Sequence, residues 1–499
     1  MQVITDMMKP IVRARRRPKL AAPSLDPLAL GLIDLLGPLY SSITLRMQSM
    51  RFIHGERFVA SVRDFYEGRA RLVLAFRHPY GDEPQLLAWA MHRGLRAEAR
   101  RLGAPLGVRP HCLFLHGYEV PLWSGPLVRW LIPRSGSLPV YHVRVDSSGI
   151  KATRRALRDG EHPLALAPEG QASYRSETLP RLERGALQLG FWCAEELAAA
   201  GRAEKVLILP LSVHVSHEAR DLSALEACAT ALEVRLGPAG VAPAGVAPAG
   251  AAANAPQVSR SSDEGRRRAL GLRLRAIDLR LQEAGESYYW PGQRPGGPTP
   301  PVETLLALAD SNNTEFLALR AARHAALLEE ALRRGEAMLG LASDGDAITR
   351  VYRIRHEGWN RIYPELDLAA LPPHARALAD RRAGEAWYAM RHMETVDLGW
   401  YLDAPYLEEG LADGGAPSLG RLAETLVNLD DFASRLEGGN ITDRKNPLSR
   451  HICMVAAEPL EMTLRLPAYR SDRQTALAAA ETDLASAFTG AIKEYLDGT

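Results

Sequence analysis

The side chains able to do chemistry stand just beyond two apolar runs. Leu72–Phe76 (LVLAF) leads into His78, with Asp82, Glu83 and Pro84 following, and the run ending at Ala167 leads into Pro168, Glu169 and Gly170. An imidazole with one nitrogen held by a carboxylate has its tautomer fixed, so its other nitrogen can take the proton of a hydroxyl group. Either Asp82 or Glu83 could supply that carboxylate. A carboxylate and a glycine at a strand end can form a tight turn whose backbone donors approach an anionic group. In open α/β sheets, ligands gather at the carboxyl ends of strands, which is where both clusters are expected to lie.

The elements that must position these residues are short. Apolar runs at 72–76, 111–117, 138–145, 163–167 and 205–215 read as buried strands, and stretches 84–101, 148–159 and 184–200 read as helices. This alternation predicts an α/β fold, a mostly parallel central sheet flanked by helices. After Pro300 the chain turns strongly helical. Strand character returns at 451–467, and an amphipathic helix over 472–496 closes the sequence. The expected organisation is therefore an α/β domain interrupted by a large, mainly helical insertion. Residues 1–45 would form a basic arm and apolar helices, and 46–216 the first part of the α/β domain. The insertion would span 217–446, with a Pro/Ala/Gly linker at 237–265 and a helical block at 266–446. Residues 447–499 would supply the final strands and helix.

Charge and composition narrow the class. The 61 basic and 59 acidic side chains leave a net charge of +2, which gives no global reason to expect a nucleic-acid partner. The first twenty residues are strongly basic and predict a solvated tail, or one drawn to an anionic membrane surface. Residues Pro27 to Leu45 are apolar but contain Asp34 and two prolines. They read as a buried or membrane-surface helix pair rather than a span. Four dispersed cysteines without a CxxC pair argue against a zinc ribbon or a disulfide framework; they fit a reducing, cytoplasmic setting with no metal. The chain has no GxG fingerprint, GxxxxGK loop, HExxH helix or GxSxG elbow, which weighs against dinucleotide redox chemistry, P-loop hydrolysis and serine-elbow esterase activity.

Four elements in order, His78 to Glu83-Pro84, Ala167-Pro168-Glu169-Gly170, Gly185 opening a helix, and a strand ending at Pro210, resemble the glycerolipid acyltransferase family of the lysophosphatidate acyltransferase type. The resemblance covers about 51–215, and the stretch from 452 onward looks similar to the family's domain end. It implies transfer of a fatty acyl group from acyl-CoA or acyl-ACP to the hydroxyl of a lysophospholipid-like acceptor such as 1-acylglycerol-3-phosphate, with no cofactor besides the donor substrate. Its partners would be that lipid, the thioester and the surface of a membrane, contacted peripherally on its cytoplasmic face. His78 would be the general base. Glu83 occupies the register of the family's aspartate and is favoured as its partner over Asp82. Pro168, Glu169 and Gly170 would shape the acceptor site. Gln171 and Ala172 replace the family's Thr and Arg, so Arg144 and Arg175 become the candidate anion contacts. The rival readings are a catalytically silent lipid-binding or scaffold protein on the same fold, and an acyl-thioester hydrolase.

Overall fold

The computed structural model describes residues 12–19, 22–141, 147–236, 262–291, 314–399, 404–439, 444 and 446–498. The chain divides into two compact units. One comprises Leu20–Ala224, Leu419–Glu424 and Asn446–Thr499; the other comprises Met1–Lys19, Leu225–Ser418 and Thr425–Lys445.

The first unit is α/β. Its elements run α1 (Pro27–Ile43), β1 (Met47–Ile53), α2 (Gly55–Tyr66), β2 (Ala70–Phe76), α3 (Glu83–Trp89), a π-helical turn (Ala90–Gly94), α4 (Leu95–Arg101), β3 (Leu113–Gly117), α5 (Gly125–Arg134), β4 (Leu138–Val140), α6 (Ser147–Asp159), β5 (Leu164–Leu166), α7 (Gly185–Ala199) and β6 (Lys205–Ser216). After the second unit come β7 (Arg450–Ala456), β8 (Leu460–Glu461), α8 (Met462–Ser471) and α9 (Arg473–Asp497). The strands form one sheet in the order β1-β7-β6-β2-β5-β3-β4, with β8 pairing β6. The pairs are parallel except where β7 and β8 meet β6.

β2 shows why the sheet sits where it does. Leu72, Leu74 and Phe76 share one core with Phe58, Val62 and Phe65 of α2 and Leu86 of α3. Val73 and Ala75 share the other with Leu187, Phe191 and Ala194 of α7 and Phe488 of α9. Successive side chains point to opposite faces, and both faces are covered, so the strand reads as an unbroken apolar run.

Two local expectations change. The stretch expected to hold a helix pair forms one helix, Pro27–Ile43: Asp26 accepts the Leu28 N–H at its start, and Pro38 is carried inside it. The strand character expected over 451–467 is divided between β7, which ends at Ala456, and the two-residue β8, and Met462 onward is helical. Met462, Leu466 and Tyr469 are the buried positions of α8, a spacing that follows a helix rather than a strand. Among the described residues, no helix is long and apolar enough to cross a membrane.

The second unit is helical, with long helices over Asp263–Tyr289, Thr314–Leu339, Ala347–Ile362 and Pro373–Gly399. Its interior holds ion pairs such as Arg350 with Glu336 at 2.8 Å and Arg320 with Glu408 at 3.1 Å. The basic arm, expected to be solvated, is docked over 12–19. Its backbone supplies donors to carboxylates and helix ends: Ala14 N–H to Asp380 at 3.0 Å and Arg15 N–H to the Ile362 carbonyl at 2.7 Å.

Candidate active site

Register brings the two clusters together. β2 and β5 are parallel neighbours with Ala75 opposite Leu166, so His78 and Glu169 each stand three residues beyond the same rung. The loops leaving the two strands are joined where the Ser173 N–H donates to the His78 carbonyl at 2.8 Å.

Glu83, the first residue of α3, is fully buried, and its carboxylate hydrogen-bonds His78 Nδ1. It also accepts the Tyr80 N–H on Oε1 at 2.6 Å and the Gly81 N–H on Oε2 at 3.0 Å. Gly81 has φ +90°, a backbone state that costs glycine little, and this turns the chain tightly enough for both amides to face the carboxylate. The carboxylate is thus held as an acceptor, and His78 donates to it from Nδ1. That leaves Nε2 as the basic nitrogen. The His78 side chain is 20% exposed. Burial opposes its charged form, but the charge and hydrogen bond of Glu83, helped by Glu169 and Asp82, outweigh this and hold the imidazole above its ordinary pKa.

Asp82 faces a different cation. Both its oxygens are taken by Arg450 at the start of β7, with Nη2 to Oδ1 at 3.0 Å. The Arg450 guanidinium lies over the Tyr80 ring, 5.2 Å from its centroid, and the Tyr80 hydroxyl accepts the Val215 N–H at 2.9 Å. Of the two carboxylates open to the sequence reading, Glu83 is the one on His78.

Glu169 is buried against Arg77, whose Nε donates to Oε1 at 3.1 Å. Arg77 is itself fully buried and donates to the carbonyls of Arg175 at 2.9 Å, Ser176 at 2.6 Å and Thr178 at 2.7 Å. One guanidinium therefore fixes the carboxylate and the loop beyond it. Pro168 accepts the Glu183 N–H at 2.6 Å, and Gly170 turns the chain with φ +74°. Arg144 lies outside the described residues. Arg175 contributes a carbonyl to the Arg77 cage.

Sequence reasoning missed Arg77, Arg450 and Tyr80. A signal did exist for the two arginines. Each adjoins an apolar strand run, at positions where the ladder continues (Arg77 N–H to the Leu211 carbonyl, 2.9 Å), so a cation there is carried inside and needs acceptors.

Beside this cluster lies α1. Burial, helped by the charge of Asp82, raises the pKa of its Tyr40 phenol against the opposing effect of Gln85 of α3. The outer face of α1 is apolar and open, with Leu28 77%, Leu35 72% and Ile43 68% exposed. Among the described residues, no group of three or more His, Cys, Asp or Glu side chains is arranged to hold a metal ion. No family model matches the chain, and a search of curated proteins finds no match.

Proposed function

We propose that the chain is an O-acyltransferase that moves a fatty acyl group from an acyl thioester to the hydroxyl of a lysolipid. The observation that carries this reading is the His78–Glu83 pair beyond β2, standing level with the Glu169–Gly170 turn beyond β5. In this reading His78 Nε2 removes the acceptor's hydroxyl proton as that oxygen attacks the thioester carbonyl, the carbon–oxygen bond forms, and the thiol departs with a proton. Glu83 fixes the tautomer and stabilises the imidazolium that forms. No enzyme nucleophile is needed, in keeping with a chain that has no serine elbow. Glu169 and Gly170, held by Arg77, shape one side of the acceptor site. The fold read this way is a glycerolipid acyltransferase-like sheet carrying a helical insertion. The open leucine face of α1, next to α3, supports docking on a membrane surface, where a lipid acceptor would be met.

The test is incubation of the purified full chain with radiolabelled acyl-CoA or acyl-ACP and a panel of lysolipids. New lipid ester that disappears in His78→Ala supports the proposal. Free fatty acid alone would assign thioester hydrolysis instead. Neither product, under conditions where a known acyltransferase works, would point to a silent lipid-binding scaffold.

A further inference from the structure

The loop beyond Gly170 carries a strained residue against the turn that sets His78. At its near end the Ser173 N–H bonds the His78 carbonyl. The next residue, Tyr174, is buried with φ +51°, a left-handed backbone state that is costly for a bulky side chain. Its ring lies beside Gly81: a Cβ built on that glycine would meet Tyr174 Cε1 at 3.7 Å. Gly81 is the residue whose N–H helps to hold the Glu83 carboxylate in place on His78. A backbone state of this kind persists only where the surroundings over-determine it.

One restraint is Arg77, which grips the carbonyls of Arg175, Ser176 and Thr178. A second comes from far along the chain, at the start of the helix Leu419–Leu436. The segment Leu419–Glu424 belongs to the α/β unit. Arg421 and Glu424, three residues apart, share one face of that helix. Glu424 accepts the Ser176 N–H on Oε2 at 3.0 Å, and Arg421 Nε donates to Glu177 Oε2 at 2.9 Å. Ser176 is therefore pinned through its N–H and its carbonyl at once. The ion pair is nearly dry, with the Arg421 side chain 12% and that of Glu177 7% exposed, so losing either partner would leave a buried charge uncompensated. Glu424 is buried as well, and a buried N–H deprived of its carboxylate has no solvent to replace it.

We infer that Arg421 and Glu424 are positioning residues for His78: they clamp the 173–178 loop onto the His78 turn, with Tyr174 against Gly81, and so keep Glu83 aligned on the imidazole. They act through Ser176 and Glu177 rather than on a substrate. Without the carboxylate at 424 the Ser176 peptide is released, the left-handed state at Tyr174 relaxes, and the Gly81 turn loses the ring that backs it. The consequence for turnover rests on the reading of His78 as the general base. The consequences for the loop and for the His78–Glu83 hydrogen bond do not.

The test compares the full chain with its Glu424→Ala, Arg421→Ala and Glu424→Gln variants. In hydrogen–deuterium exchange, protection of peptides covering 173–178 should fall roughly tenfold or more in Glu424→Ala, the factor set by losing one hydrogen bond to a charged group. Arg421→Ala should loosen the loop in the same direction. Glu424→Gln keeps an acceptor oxygen and should restore most of the protection. Glu424→Asp, which keeps the charge but shortens the reach, should also loosen the loop and decides the matter if Glu424→Ala does not fold. The proton on His78 Nδ1, read by NMR as a downfield signal in the wild type, should move upfield in Glu424→Ala and return in Glu424→Gln. With it kcat for acyl transfer should fall roughly tenfold, KM for the thioester staying unchanged. A purely structural contact would lower Tm and leave that proton and kcat alone. Unchanged loop protection in Glu424→Ala or Arg421→Ala, or a loosened loop with an unmoved His78 proton, would overturn the clamp. Absence of acyl transfer in the wild type would overturn the reading of His78 as a base, with exchange and NMR still deciding the clamp.

Discussion

Arg450 takes both oxygens of Asp82, and the neighbouring Glu83 is thereby left as the carboxylate on His78. Two acids adjacent in sequence thus face opposite duties. One neutralises a buried guanidinium, and the other orients an imidazole.

Substitutions at the two acids should therefore separate. His78→Ala should lower acyl transfer by about 10²–10⁴-fold, the usual contribution of a general base. Glu83→Gln should cost about 10–100-fold in kcat, from the loss of a charged hydrogen bond worth about 1.5–3 kcal/mol. Asp82→Asn should keep the rate within an order of magnitude but lower stability by about 1–3 kcal/mol, because Arg450 stays buried with only a neutral acceptor. Steady-state kinetics alongside urea unfolding distinguish the two effects, and equal kcat losses at Asp82 and Glu83 would refute the division.

The pH profile follows from the raised pKa of His78. Burial lowers it, but Glu83, Glu169 and Asp82 together raise it further, so the neutral base form accumulates only above the ordinary imidazole value of ~6.5. The acid limb of kcat/KM should lie above that value and move down in Glu83→Gln. For stability the sign is opposite. A folded-state pKa above the unfolded one stabilises fully below the unfolded pKa and is lost as pH rises through the folded pKa. Unfolding free energies of wild type and His78→Ala, measured from pH 5 to 9, should therefore converge as pH increases.

Arg77 is expected to matter for the fold first. Arg77→Ala leaves Glu169 buried without its cation and frees three carbonyls, which should cost about 3–5 kcal/mol. Glu169→Gln, which keeps an acceptor oxygen for Arg77, should cost less, about 1–3 kcal/mol. Thermal melts of both variants check the order.

Gly170→Ala tests the turn beyond β5. A Cβ there would sit 2.4 Å from Glu183 Oε1, but that exposed side chain can swing away. What remains is the left-handed backbone, which should cost about 1–2 kcal/mol. A Glu183→Ala background should recover only the steric part, as read by the difference in Tm between the single and double variants.

The sequence by itself determined the local parts. Both faces of β2 are covered, so Leu72–Phe76 had to be an apolar run, and the run's end marked where His78 emerges. The match of Pro168, Glu169 and Gly170 at a second run's end was equally readable, because strand and turn chemistry act over a few residues. The helical nature of Met462 onward was hidden, since a short apolar stretch fits either period until its neighbours are known. Tertiary structure alone decided which acid serves His78: the competing partner of Asp82 lies 368 residues away. It also decided that Glu169 is anchored by Arg77, on the neighbouring strand's extension, and that Glu424 reaches the Ser176 N–H. Charges choose partners by distance in space and by the cost of staying buried unpaired, and neither quantity is written in the spacing of residues along the chain.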